Sequence, residues 1–273
     1  MERVLYKSIK GNKVTMASYL QEVWQSRVLA LTFALRDLKI QYAQTFLGLL
    51  WSLVQPLTGL LIYTFFFQRL IHIEVDAPYP VFVFTGIMGW HGFSALVVQS
   101  GAVLMNNQQL IRKIHFPRLI LPLSKMLAGL IEFGIYLALL LVLLVATGYG
   151  ISWKIIFLPF VFIISSIVAL SIGIWLSALT IRFRDFHHIV PYLIGFGIWF
   201  TPVFYPTTLI PQQYNWVYYF HPVANVIALY RWIFINGQID VVQCAVSFVL
   251  AFIVFIAGLK YFIKNEKYIA DYL

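Results

Sequence analysis

Long, almost uninterrupted runs of apolar residues dominate this chain, and each run has about the length that a helix needs to cross a lipid bilayer. We place six such runs at 47–68, 80–104, 119–147, 155–180, 188–204 and 241–263. The segments between them are too short for a soluble domain, and no internal repeat is visible. The pattern therefore predicts one all-α membrane domain with six transmembrane helices.

Residues 16–38, before the first run, follow a different pattern. An apolar residue recurs every three or four positions, while polar residues lie largely on the other faces. The apolar stripe consists of Met16, Leu20, Trp24, Val28, Leu31, Leu35 and Leu38. We predict an amphipathic helix in the cytoplasmic interface, which serves either as a plain membrane anchor or as a platform that receives force from a cytoplasmic partner.

The stretch between the fifth and sixth runs is aromatic and broken by proline. Residues 199–222 read WFTPVFYPTTLIPQQYNWVYYFHP and contain no acid, lysine or arginine. Residues 212–220 and 223–236 are each too short to cross about 30 Å as a helix. We predict two half-helices that dip into the outer leaflet, because broken backbone at membrane depth must be buried in protein or line water.

Composition places the chain in lipid. Hydrophobic residues make up 61% of its 273 residues and charged residues 11%, against about 45–50% and about 25% in soluble domains. The single cysteine, Cys244, excludes an intrachain disulfide. The first residues lack the apolar run of a signal peptide, so we expect the N-terminus to stay on the side where it was made.

The positions of the basic residues predict the orientation. The net charge is +9, and all of the 19 Lys and Arg residues except Arg69, Lys154 and Arg231 fall in the N-terminal segment, the second and fourth loops and the C-terminus. The positive-inside rule puts these parts in the cytoplasm, which agrees with an even number of spans. Topology and anionic lipid explain the basic excess better than nucleic acid does.

Motifs for catalysis and metal binding are absent from the sequence. It contains no G-x-x-x-x-G-K-[ST] phosphate loop, no H-E-x-x-H and no C-x-x-C, and its outer carboxylates are scattered. These absences argue against an enzyme and against a metal site. Glu132 is the one acid deep in a span, and we expect no acid or histidine partner at its depth. We favour helix packing or a dimer seam for it over ion coupling, with the conduction path as the other option.

Five stretches, in order, carry a family resemblance. They are RDLKIQYAQTFLGLLWSLVQPL (36–57), NNQQLIRKIHFPRLILPLSKMLAGLIEF (106–133), IRFRDFHHIVPYLIGFGIWFTPVFYP (181–206), HPVANVIALYRW (221–232) and FIKNEKYIADYL (262–273). Together they resemble the membrane subunits of ABC-type polysaccharide exporters, which export O-antigen, teichoic acid or capsular polysaccharide. One departure is HP at 221–222, where NP is expected.

The resemblance implies a transporter permease subunit in the bacterial inner (plasma) membrane, with both termini cytoplasmic. It implies a homodimer with a channel at its interface, two cytoplasmic ATP-binding subunits, and a lipid-linked, O-antigen-like polysaccharide as substrate. Mg-ATP would bind to the partner ATPase, and this chain would bind no cofactor. The alternative is a permease of the same fold that exports teichoic acid, capsule, drugs or lipids.

The resemblance also implies where ATPase subunits dock, namely on the interface helix and on a coupling loop at 106–116. The candidate coupling residues are Trp24, Arg36, Asn106, Asn107, Gln108, Gln109, Arg112 and Lys113. The loop residues could equally form a solvated basic loop that obeys the positive-inside rule.

Aromatic side chains are the candidates for the transport path, because rings contact the C–H faces of sugars without demanding register. The candidates are Tyr63, Phe66, Phe67, Trp90, Trp199, Phe200, Phe204 and Tyr205. The other interpretation is an aromatic belt at the outer interface; we expect Trp199–Tyr205 to face the path and most of 214–220 to form the belt. Tyr218, Tyr219 and Arg231 belong to a predicted outer gate at 206–236. For Arg231 we expect one of three roles: pairing with an acid, binding a phosphate-bearing substrate or anchoring to lipid headgroups.

Overall fold

The computed structural model describes residues 15–43 and 51–272, apart from the side chains of residue 42 and residues 267–272. Every regular element in these ranges is a helix, which confirms the predicted all-α class. The α-helices are α1 (Met16–Gln25), α2 (Arg27–Tyr42), α3 (Trp51–Tyr63), α4 (Tyr79–Asn106), α5 (Gln108–Lys113), α6 (Ile120–Ala146), α7 (Leu158–Arg182), α8 (Phe186–Phe200), α9 (Pro222–Ile235) and α10 (Val241–Tyr272). A π-helix continues α3 over Thr64–Leu70, and 3₁₀ helices occupy Trp153–Phe157, Thr207–Leu209 and Gln212–Phe220.

Four of the described helical stretches are long and apolar enough to cross a membrane: Tyr79–Asn106, Ile120–Ala146, Trp153–Arg182 and Val241–Glu266. The helices α8 and α9 are apolar but shorter. The first predicted span, 47–68, coincides with α3 and most of the π-helix. Its first four residues lie outside the described ranges. The chain is therefore a multi-pass membrane protein, and the count of six spans stays a prediction.

The predicted interface helix at 16–38 is two helices in the structure, because the chain breaks at Ser26 between α1 and α2. Thr15 begins α1 by accepting a hydrogen bond from the backbone N–H of Ser18 at 3.3 Å. Most of the predicted apolar stripe points away from the protein, and Trp24 is 70% exposed. Tyr19 and Phe33 instead pack into the core, so the stripe is free to meet lipid or a partner.

The centre of the domain is α4, which packs against α3, α6, α7, α8 and α9. Small residues allow its close contact with α7: a Cβ added to Gly173 would lie 2.8 Å from the Cβ of Ser100. Membrane helices depend on such contacts, because lipid tails are as apolar as the side chains and supply no hydrophobic force between helices.

A non-helical segment, residues 201–205, follows α8 and lies directly on α4. Thr201 and Val203 are fully buried, and the Tyr79 hydroxyl donates a 2.7 Å hydrogen bond to the carbonyl of Phe204. Gly86 makes the approach possible, since a Cβ there would overlap the carbonyl oxygen of Val203. The broken backbone that follows α8 is thus buried in protein, which is the condition for non-helical backbone at membrane depth.

We predict that Gly86→Ala lowers the thermal unfolding midpoint of the purified protein, because the added methyl group must displace the 201–205 segment. Overpacking of this kind costs about 1–3 kcal/mol. Gly92→Ala is the matched control on the same helix, since a Cβ there meets nothing within 4 Å and alanine is the better helix former. Equal midpoints for the two variants would contradict the packing described here.

Candidate functional site

Six of the eight predicted coupling residues gather around one polar groove of about 690 Å³. Its wall includes Arg36, Asn106, Asn107, Gln108, Gln109 and Lys113. The Arg36 guanidinium donates a 2.8 Å hydrogen bond to the side-chain oxygen of Asn107, which joins α2 to the loop before α5. Arg112 is exposed outside this wall, and Trp24 lies beneath the guanidinium of Arg27 at 5.3 Å.

Asp37 ties the same part of α2 to α6. One carboxylate oxygen accepts from Arg36 at 2.7 and 3.0 Å, and the other accepts from Lys125 at 2.9 Å. Burial alone would raise the pKa of Asp37, but the hydrogen bonds and charges of Lys125 and Arg36 outweigh it and hold this pKa below its ordinary value. Asp37 therefore stays ionised at neutral pH and fixes α2 against α6.

Five of the eight path candidates meet in one aromatic cluster at the C-terminal end of α8. Phe204 stacks on Tyr63 and Phe67, with ring centroids 4.9 and 4.5 Å apart. Trp199 and Tyr205 meet Phe204 edge-on at 5.1 and 5.5 Å. The cluster joins the first span to the end of α8, and Phe204 at its centre is only 2% exposed.

The other three path candidates lie elsewhere. Trp90 is buried with its indole against Gly197 of α8. Phe66 is half-exposed and meets Phe65 edge-on, and Phe200 is 76% exposed. Trp90 and Phe204 are therefore part of the internal packing, while Trp199 and Phe200 offer exposed ring surface.

Arg231 contacts a backbone carbonyl and an aromatic ring within the part of the chain that the structure describes. It is buried in α9, its Nη2 donates a 2.7 Å hydrogen bond to the carbonyl of Val203, and its guanidinium lies 3.7 Å from the ring centre of Phe82. No carboxylate pairs with it within the described ranges. It holds the 201–205 segment onto α4 and α9, while a role in binding a phosphate-bearing substrate or a headgroup stays a prediction.

The two predicted gate tyrosines lie beside a polar pocket of about 640 Å³. Tyr218 is buried and Tyr219 is partly exposed. Asn225 organises the pocket wall, since its side chain donates to the carbonyl of Tyr218 at 2.8 Å and accepts from Gln243 at 2.7 Å. The pocket thus connects the 3₁₀ helix, α9 and α10.

Glu132 does have a histidine at its depth, contrary to the expectation from the sequence. Nε2 of His91 on α4 lies 3.5 Å from one carboxylate oxygen of Glu132, and Gln41 at the end of α2 donates to the other at 3.1 Å. The imidazole stacks on Tyr136 with centroids 4.6 Å apart. These residues border a cavity of about 550 Å³. Lys125 is not part of this pair, as its ammonium group binds Asp37.

Comparison with known proteins identifies the family. The profile of the ABC-2 type transporter family matches residues 29–235. The chain belongs to the ABC-2 type transporter family. The match runs from α2 to α9 and so contains the groove, the aromatic cluster and the polar cavity.

Curated relatives cover most of this ABC-2 type transporter. The O-antigen export system permease protein RfbA of Klebsiella pneumoniae is 29% identical over 87% of the chain and 92% of its own length. RfbA of Myxococcus xanthus is 29% identical over 82% and 86%. The polysialic acid transport protein KpsM of Escherichia coli is 28% identical over 76% and 81%. These relatives are permeases, which points to a transporter subunit rather than an enzyme.

We predict that Asp37→Asn destabilises the purified ABC-2 type transporter by about 1–3 kcal/mol at pH 7, because it weakens two charge-assisted hydrogen-bonded contacts. The folded pKa lies below the unfolded value of about 3.9. The contribution is therefore fully present above about pH 4 and is lost as pH falls through the folded pKa. Thermal unfolding across this range measures it, and the difference from wild type should shrink below about pH 4.

Asp185→Asn is the control for that series. The Asp185 carboxylate is exposed and has no ion-pair partner among the described residues. The unfolding midpoint of Asp185→Asn should therefore equal that of wild type at every pH. If the stability difference between Asp37→Asn and wild type did not shrink below pH 4, the contribution of an ionised Asp37 bound to Arg36 and Lys125 would be contradicted.

Proposed function

We propose that this chain is the membrane subunit of an ATP-driven exporter that moves a lipid-linked, O-antigen-like polysaccharide from the cytoplasm to the outer side of the inner membrane. The observation that carries the proposal is the similarity to O-antigen export permeases over 87% of the chain. The aromatic cluster at the outer end supports it, since ring faces and tyrosine hydroxyls suit the apolar faces and polar edges of sugars.

A second copy of the chain completes the channel in this proposal. The surface of α8 carries large exposed apolar side chains, among them Tyr192, Phe196 and Phe200. A symmetric dimer needs one self-complementary patch on each copy, and the exposed apolar face of α8 is the candidate patch. The exposed rings of Trp199 and Phe200 would then face their counterparts across the two-fold axis.

Energy would come from two cytoplasmic ATP-binding subunits in the proposed assembly. The sequence lacks a phosphate loop, so Mg-ATP would belong to the partner chain. The groove between α2 and the loop at 106–113 supplies a docking surface rich in amides, with Lys113 at its edge. Capsule is the second candidate cargo, because a polysialic acid transport protein is 28% identical over 76% of the chain.

We expect cells that lack this chain to lose their surface polysaccharide and to accumulate the lipid-linked polymer inside. The wild-type chain should restore export only together with a phosphate-loop ATPase that co-purifies with it. Lys113→Glu should reduce the co-purified ATPase about tenfold, since charge reversal at a docking surface opposes association. Lys264→Glu, exposed on α10 away from the groove, is the control on the same side. Export without any ATPase would refute the proposal.

Two matched double variants test which exposed rings line the proposed transport path and which belong to the aromatic belt at the membrane interface. Trp199→Ala with Phe200→Ala should lower export about threefold or more at an unchanged membrane level, because each lost ring contact is worth about 0.5–1.5 kcal/mol. Trp216→Ala with Phe220→Ala, which removes two exposed rings of the same types from the 3₁₀ helix, should reduce membrane insertion instead. Surface polysaccharide and membrane-fraction protein are measured in parallel, and equal effects on both readouts would contradict the division.

A further inference from the structure

The polar cavity beside Glu132 has the chemistry of a sugar-binding site. It lies between the end of α2, the beginning of α3 and the middle of α4 and α6. Its volume of about 550 Å³ falls in the range of small-molecule sites, about 300–1,000 Å³. The polar side chains on its wall include Gln41, Gln55, Gln99, His91 and Glu132. These polar groups are set among apolar side chains such as Trp51 and Val54, so an occupant that carries both hydroxyl groups and C–H faces fits the wall.

Glu132 retains hydrogen-bonding capacity toward the cavity. An ionised carboxylate offers about four acceptor positions, and the described contacts are one hydrogen bond from Gln41 and one approach by His91. His91 is itself held by stacking on Tyr136. The carboxylate is therefore oriented from both sides and has acceptor positions left for hydroxyl groups.

Two further amides and a ring complete a hydroxyl-binding surface. Gln55 and Gln99 have no hydrogen-bond partner among the described residues, so each offers both a donor pair and an acceptor. Trp51 on the cavity wall is 55% exposed and provides a flat face for C–H groups. Such a surface matches a sugar, which carries adjacent hydroxyl groups at its edge and an apolar C–H face.

We propose that this cavity binds neutral sugar units of the transported polymer, with Glu132 accepting hydroxyl groups and Trp51 packing against a sugar face. This inference rests on the proposed function and adds a recognition site in the inner half of the membrane domain. The site is separate from the aromatic cluster, which lies around Phe204 at the outer end.

Charge distinguishes a sugar from the phosphate of a lipid carrier. Glu132 is the one carboxylate on the described wall, and no lysine or arginine lines this cavity. Lys125, seven residues away on α6, is bound to Asp37 at 2.9 Å. A phosphate or an acidic sugar would meet an acid with no free cation beside it, and burying like charges together is costly. A neutral occupant has no such penalty.

The test uses the full chain, purified with its ATPase subunit in lipid nanodiscs. The probe is an oligosaccharide released by mild acid from the surface polysaccharide of the cells that make the chain, labelled with a neutral fluorophore and titrated by fluorescence anisotropy. We expect saturable binding to wild type and at least about tenfold weaker binding to Glu132→Gln and to Gln99→Leu, as the loss of a hydrogen bond to a buried partner predicts. Inorganic pyrophosphate should not compete.

Gln213→Leu is the control, because Gln213 is exposed on the outer 3₁₀ helix and borders none of the described cavities; it should bind like wild type. If Glu132→Gln does not fold, Gln99→Leu decides the question, since its amide makes no internal hydrogen bond. No saturable binding to wild type, equal binding by the cavity variants, or competition by pyrophosphate would each overturn the site. Loss of surface polysaccharide in cells lacking the chain would leave the proposed function standing in every one of these cases.

Discussion

The hydrocarbon core of a bilayer offers no water, so every backbone N–H and C=O group there must find a partner in the protein. Helices meet this demand by themselves, and most of the chain is helical. An exception at the C-terminal end of α8 is the segment 201–205, in which the carbonyls of Val203 and Phe204 accept hydrogen bonds from Arg231 and Tyr79. This accounts for a buried guanidinium without a carboxylate: it satisfies a backbone carbonyl on one side and lies over Phe82 on the other. The position of Phe204, and with it the aromatic cluster, follows from that constraint.

The helix α2 connects the groove with the cavity beside Glu132. Arg36 reaches the groove, Asp37 next to it binds Lys125, and Gln41 binds Glu132. Asp37 and Gln41 are about 6 Å apart along a helix. On α6 the corresponding contacts are Lys125 and Glu132, about 10 Å apart. Because both polar contacts join the same two helices, a shift of α2 along α6 cannot alter one without disturbing the other. A force applied at the groove would therefore reach the cavity through packed helices alone.

The features that follow from the lipid environment alone, such as the long apolar helices, were predicted well from the sequence. The features that depend on tertiary contacts, such as side-chain partners, were not. Hydropathy indicated the long helices because a membrane demands about 20 apolar residues for each span. It did not show the break at Ser26, since serine is tolerated within helices, or the partner of Arg231, since Val203 is distant in sequence. The His91–Glu132 pair was within reach: His91 is the twelfth residue of the second predicted span and Glu132 the fourteenth of the third. Comparing the depths of polar residues in neighbouring spans would have brought the two together.

The two kinds of wall make different demands on a polymer. Ring contacts at the outer end are non-directional enough for a chain to slide past, whereas hydrogen bonds to Glu132 and the glutamines depend on distance and angle. Directional contacts along a whole channel would hold a polymer in place, because each unit would bind in register. In the proposed exporter, confining them to one cavity near the groove would allow a sugar to be recognised close to the proposed ATPase docking surface. The aromatic cluster would then impose little resistance on the units that follow.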